Sequence, residues 1–141
     1  MNCENVMKRQ VKCLAMHETV KAAAALMRDE NIGFVPICNK EGKMVGAITD
    51  RDIVIRLAAD DGAADNALEW LMSREVVSCR ATDALEHAEH VMETTRKSRI
   101  VCVDEQGRPV GIISMADIAQ HETAARTGAM LRTITRREVR A

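Results

Sequence analysis

At 141 residues, 47% of them hydrophobic, the chain has the length of one globular domain and enough apolar side chains for a substantial core. A formal net charge of −1 gives no general attraction to nucleic acid or to an anionic membrane, and Phe34 and Trp70, the two aromatic residues, do not make a stacking platform for single strands. No apolar run approaches the ~20 residues that span a bilayer, and the N-terminus lacks a signal peptide's charged and apolar regions, so a cytoplasmic protein is expected. Five cysteines without a close pair (Cys3, Cys13, Cys38, Cys79, Cys102) then read as free buried thiols.

In chain order, Val11 to Cys13 is expected as a brief extended piece. Val20, Ala23, Ala24 and Met27 recur at helical spacing, which predicts a helix starting after Thr19. Phe34 to Cys38 and Met44 to Ile48 are β-rich runs joined by Asn39-Lys40-Glu41-Gly42, whose glycine supplies positive φ, so an antiparallel hairpin is predicted. Asp50 to Ala59 follows as a second helix, with Gly62 as its stop. Asp65 is expected to cap a linker helix carrying Leu68, Trp70, Leu71 and Met72, whose apolar side needs a partner. Asp83 and Glu86 have capping-box spacing ahead of a helix carrying Leu85, Ala88, Val91 and Met92. Strands are predicted over Arg99 to Val103 and Pro109 to Ile113, with Asp104-Glu105-Gln106-Gly107 as the turn.

The order strand, helix, hairpin, helix is therefore written twice. Adding 65 to a residue number carries Met7 onto Met72 (72 − 7 = 65) and, with no gap, Ile53 onto Ile118. The pairs Met27/Met92, Gly42/Gly107, Val45/Val110, Gly46/Gly111, Ile48/Ile113 and Asp52/Asp117 are identities within that register. A period of this length indicates two copies of one folding unit. A unit of about 55 residues buries too little surface to stand alone, which favours an α/β (α+β) fold with two halves packed about a pseudo-two-fold axis. Boundaries fall at 1–64 for the first repeat with its N-terminal segment, 65–121 for the linker and second repeat, and 122–141 for a basic helical tail.

The most informative stretch is Val45-Gly46-Ala47-Ile48-Thr49-Asp50-Arg51-Asp52-Ile53, repeated as Val110-Gly111-Ile112-Ile113-Ser114-Met115-Ala116-Asp117-Ile118. A strand runs into a helix whose N-cap hydroxyl, Thr49 or Ser114, is followed three residues later by Asp52 or Asp117. Such pairs cap helices, and a helix start is also a place to hold phosphate.

An alanine-rich helix, Val-Pro-Ile before an acidic-glycine turn, and then Val-Gly-x-Ile-Thr/Ser-x-x-Asp-Ile, all in tandem over residues 7 to about 120, resemble the CBS domain, named after cystathionine beta-synthase. The resemblance implies a non-catalytic regulatory module whose repeats form clefts for an adenosine-containing ligand (AMP, ADP, ATP or S-adenosylmethionine), needing no other cofactor, and which pairs into dimers that signal to a regulated protein. It implies that Thr49 and Ser114 meet phosphate and that Asp52 and Asp117 hold the ribose hydroxyls, a charge-assisted bidentate contact. Gly46 and Gly111 would allow close backbone approach on the strand leading in. Arg51 and Arg99 are candidate phosphate contacts through their planar forks, against the plainer reading of solvated arginines. An apolar slot for adenine is sought at Val11, Cys13, Phe34 and Val35 and at their counterparts Val76, Ser78, Arg99 and Ile100. Val101 stands in place of Pro36, and Met115 and Ala116 in place of Asp50 and Arg51, so the two clefts should differ.

Nothing resembles a P-loop, a Rossmann fingerprint or a catalytic motif, so no enzyme is expected. His87 and His90, at i and i+3, lack a third metal ligand and read as a solvated helix face. From Thr127 to Ala141, Arg132, Arg136, Arg137 and Arg140 stand against Glu138, with Met130 and Ile134 placed to seat a helix on a partner subunit; an interface helix is favoured over a nucleic-acid arm. Met7, Met27, Met72 and Met92 read as core filler. The alternative function is a structural or redox-responsive interaction protein with empty clefts, motivated by the cysteines in strands.

Overall fold

The computed structural model describes residues 1–136 and resolves them into two compact units. The first is Lys12–Val76; the second joins Met1–Val11 to the chain from Val77 onward. These units do not follow chain order: the N-terminal segment completes the second repeat, and residues 65–76 complete the first.

In the first unit, β1 (Leu14–Ala15) lies parallel to β2 (Phe34–Cys38), which pairs antiparallel with β3 (Met44–Thr49). The extended piece expected at Val11 to Cys13 thus sits slightly later, where Leu14 and Ala15 can pair with Ile37 and Cys38. Helix α1 (Val20–Glu30) starts as predicted, with Thr19 Oγ1 accepting from Ala22 N at 3.2 Å. Its Val20, Ala23 and Met27 bury against Val35, Ile37 and Ile48. Gly42 holds φ 79° in the hairpin turn. Helix α2 (Asp50–Val54) runs into a π-helical turn over Ile55–Ala59. The left-handed residue ending it is Asp61, not Gly62. The predicted linker helix is a single 3₁₀ turn, Leu68–Trp70, with Ala67 in place of Asp65 at its cap. Leu68, Leu71 and Met72 join this unit's own core, whereas Trp70 is 76% exposed.

The second unit repeats the plan: β4 (Ser78–Arg80) parallel to β5 (Arg99–Val103), β5 antiparallel to β6 (Pro109–Ser114), with α3 (Leu85–Thr95) and α4 (Met115–His121). Gly107, at φ 80°, turns the hairpin. Helix α3 lacks the expected capping box: Ala84 is its N-cap, and Asp83 Oδ2 instead accepts from Arg80 N at 2.8 Å, closing the turn before it. Helix α5 (Ala124–Thr135) begins at a Thr123 cap, and its Met130 and Ile134 are buried in this unit's own core, not offered to a partner subunit. Arg137, Glu138 and Arg140 lie outside the described residues.

Each repeat is laced to the segment preceding the other. Met7 and Lys8 run along β6 through the Lys8–Ile112 bridge, and Met72 and Ser73 run along β3 through the Ala47–Ser73 bridge. The 3₁₀ turns Cys3–Asn5 and Leu68–Trp70 are likewise equivalent. Equivalent strain is found at the helix ends, where Asn31 and Arg96 close α1 and α3 at φ 54° and 55°. Asparagine tolerates the left-handed region and arginine does not. Arg96→Gly is therefore expected to raise stability by about 1 kcal/mol and Asn31→Gly by less, read as shifts in urea midpoint.

Candidate functional site

Both hydroxyl–aspartate pairs form the reciprocal cap that their spacing predicts. At the start of α2, Thr49 N donates to Asp52 Oδ2 at 2.9 Å and Asp52 N donates to Thr49 Oγ1 at 3.1 Å. At the start of α4, Ser114 N donates to Asp117 Oδ2 at 2.9 Å, Asp117 N to Ser114 Oγ at 3.3 Å, and Ser114 Oγ to the same Oδ2 at 3.0 Å. All four residues are half-buried, so each carboxylate is held in one orientation by its own backbone while remaining in reach of solvent. A fixed anion beside unpaired helical N–H groups presents an acceptor and a donor array side by side.

The hairpin registers bring further residues to these helix starts. Phe34 is the cross-strand partner of Thr49, and Arg99 that of Ser114. Phe34 is half-buried, while Arg99 and Arg51 are exposed. Val35 and Ile100 belong to the two hydrophobic cores, their side chains spent on packing. Cys13 and Ser78 are exposed, and partial burial pushes the Cys13 thiol up, opposed by the neighbouring Cys38. Val11 groups with the second unit and Val76 with the first, so neither four-residue adenine slot drawn along the chain falls within one unit. His87 Nε2 lies 3.8 Å from Asp83 Oδ2, and His87 and His90 are both exposed.

Gly46 and Gly111 do allow a close approach, but the chain itself makes it. A Cβ on Gly46 would stand 2.7 Å from Ser73 O and 2.8 Å from Met72 Sδ, and one on Gly111 would overlap the Met7 side chain. The strand glycines therefore dock the preceding segments. One consequence was not signalled by the motif: Lys8, brought in beside Met7, places Nζ 3.9 Å from Asp117 Oδ1. Its repeat counterpart is Ser73, so the Asp52 box has no cation at the equivalent place. The two boxes are chemically unequal.

Among the described residues no helix is long and apolar enough to cross a membrane. Two strand–helix–hairpin–helix units, each opening its second helix with a hydroxyl–aspartate cap, define a tandem-repeat module. The chain belongs to the CBS-domain family, whose model matches residues 3–59 and again 67–123. It is 36% identical over 118 residues to Hypoxic response protein 1 of Mycobacterium tuberculosis, covering 83% of this chain and 82% of that one. The fold is similar to the crystal structure of Hypoxic Response Protein I with two coordinated zinc ions (TM-score 0.76, 34% identity, 87% of this chain and 100% of that chain). It is also similar to the CBS domain pair of protein MJ0100 solved with 5-methylthioadenosine and S-adenosyl-L-methionine (TM-score 0.75, 26% identity, 85% and 98%).

Proposed function

We propose that this protein is a regulatory module that binds an adenosine-containing ligand at its hydroxyl–aspartate helix starts and passes occupancy to a partner protein without catalysis, as a dimer in the cytoplasm. The observation that carries the reading is the oriented carboxylate. Oδ2 of Asp52 and of Asp117 is held at 2.9 Å by an N-cap N–H, and a ribose hydroxyl would donate to Oδ1, which at Asp117 also faces the Lys8 ammonium at 3.9 Å. A vicinal diol supplies two donors to one such carboxylate, and the first-turn N–H groups suit a phosphate. The MJ0100 pair, solved with two adenosyl ligands, supports the ligand class. Lys8 beside Asp117 adds a positive charge there, so that box favours a phosphorylated ligand over cationic S-adenosylmethionine, and the Asp52 box is the more permissive. Occupancy can be passed on only through a difference in affinity between two conformations or assemblies.

Calorimetric titration with AMP, ADP, ATP and S-adenosylmethionine tests the reading. Asn in place of Asp keeps an oxygen for the cap and removes the charge, so Asp52→Asn and Asp117→Asn are each expected to weaken binding at their own box tenfold or more while the far-ultraviolet circular dichroism is unchanged. A tenfold loss is about 1.4 kcal/mol, within the range of one charge-assisted contact. Absence of heat with all four compounds would remove the nucleotide reading and leave the family assignment standing.

A further inference from the structure

Three of the five cysteines meet inside the second unit. Cys3 on the first 3₁₀ turn, Cys79 in β4 and Cys102 in β5 are 0%, 5% and 0% exposed. Cys79 Sγ lies 3.8 Å from Cys3 Sγ and 3.7 Å from Cys102 Sγ, and all three sulfurs fall within 4.8 Å of one another. No disulfide links them.

The repeat shows what the fold needs at these positions. The counterparts of Cys3, Cys79 and Cys102 are Leu68, Leu14 and Ile37. They sit in equivalent structure: Leu14 pairs with Ile37 as Cys79 pairs with Cys102, and Leu68 N donates to Glu18 O as Cys3 N donates to Asp83 O, each at 2.8 Å. Aliphatic side chains therefore satisfy the packing of this framework. Three small sulfur side chains at the same three places, in only one of the two units, forfeit apolar volume that the sister unit keeps.

We propose that Cys3, Cys79 and Cys102 form a site for a thiophilic closed-shell cation, Cu⁺ or Zn²⁺. Metal–sulfur bonds of about 2.3 Å set sulfurs ~3.8 Å apart in tetrahedral and ~4.0 Å apart in trigonal geometry; two of the three separations here are 3.8 and 3.7 Å and the third is within 4.8 Å. Soft thiolates select these ions over harder ones. Binding of the ion displaces the thiol protons to solvent, so affinity rises with pH. Among the described residues no His, Asp or Glu joins the three sulfurs, which suits three-coordinate Cu⁺, whereas Zn²⁺ takes a fourth donor. Cys3 comes from the N-terminal segment and the other two from adjacent strands, so the ion would staple that segment to the sheet. None of this depends on the nucleotide reading.

The test is metal stoichiometry and melting temperature of the full chain, reduced and then equilibrated with Cu⁺ or with Zn²⁺ against a competing chelator. The decisive variant, Cys3→Leu/Cys79→Leu/Cys102→Ile, copies the sister unit's side chains into a framework that accepts them. A control, Cys13→Ser/Cys38→Ser, removes the other thiols. One equivalent of either ion in the wild type and the control, none in the aliphatic variant, and a metal-dependent rise in melting temperature confined to the first two are expected; the arm that loads identifies the ion. No loading of the wild type by either ion, equal loading of the aliphatic variant, or loss of metal only in the Cys13/Cys38 control overturns the proposal.

Discussion

Arg126→Ala is expected to destabilise the protein by about 3 kcal/mol at pH 8 and by ~1.4 kcal/mol less at pH 5. Helix α5 is tied to α3 through this guanidinium, with Nη2 2.6 Å from Glu93 Oε1 and Nε 3.4 Å from Glu89 Oε1. Glu89 is 1% exposed, and its Oε2 accepts no hydrogen bond among the described residues. Burial, reinforced by the charge of Glu122 and opposed by Arg126, pushes the Glu89 carboxyl up from 4.5 to about 7. Because the folded value is raised, the folded state holds the proton more tightly. The associated stability is fully present below pH 4.5 and is lost as pH rises through about 7. Above that, Arg126 is what makes a buried carboxylate tolerable, and without it Glu89 takes up a proton at a cost of about 1.4 kcal/mol per pH unit above 7; at pH 5 the carboxyl is neutral and the loss is mainly that of the Glu93 contact. For this chain length the effect at pH 8 corresponds to roughly 10 °C in melting temperature. Glu89→Gln should do the reverse, gaining stability over the wild type above pH 7, by at most about 3 kcal/mol, with no gain at pH 4. Parallel melting curves for wild type and Arg126→Ala across pH 5 to 8 would rule out this account.

Nothing in the sequence announced that pair. Glu89 sits among Glu86, His87, His90 and Glu93 on a helix whose apolar positions are legible, and only the packing of α5 shows which glutamate turns inward. Features set by local chemistry were legible to the residue: the Thr19 cap, the turns at Gly42 and Gly107, and the Thr49–Asp52 and Ser114–Asp117 boxes all follow from side chains acting on their own backbone. Where two local solutions competed, the spacing misled. Asp83 was suited both to cap α3 and to close the preceding turn, and it does the second. The interleaving of segments left no periodic signal of its own. It was nevertheless present in the repeat: Met7 and Met72 are equivalent, and so are Gly111 and Gly46, yet Met7 docks on Gly111 and Met72 on Gly46. The same register, applied to cysteines instead of to the shared motif, sets Cys3, Cys79 and Cys102 against three aliphatic residues.

That docking yields the second large effect. Gly46→Ala is expected to cost about 3 kcal/mol and Gly111→Ala about 1–2 kcal/mol, read from denaturant midpoints. At Gly46 the nearest obstacle to a Cβ is the carbonyl oxygen of Ser73, which is pinned by the paired Ala47–Ser73 backbone hydrogen bonds of 3.0 and 2.9 Å. Backbone held in that way cannot move without breaking the bridge. At Gly111 the three nearest atoms all belong to the Met7 side chain: Sδ and Cγ of this unbranched thioether can swing away by a rotamer change, while its Cβ, 2.9 Å away, moves only with the backbone that carries Lys8. The two substitutions should therefore differ in what relieves them. In a double-mutant cycle, Met7→Ala, which removes Sδ and Cγ but keeps Cβ, should absorb a larger share of the cost of Gly111→Ala than Met72→Ala absorbs of the cost of Gly46→Ala. Because Met7 precedes Lys8, displacing it also draws the ammonium from Asp117, so Gly111→Ala should weaken any phosphorylated ligand at that box and leave the Asp52 box unchanged. Equal costs for the two glycines, with no coupling to either methionine, would mean that the segments are held by their backbone bridges alone and that the glycines serve the strands, not the docking.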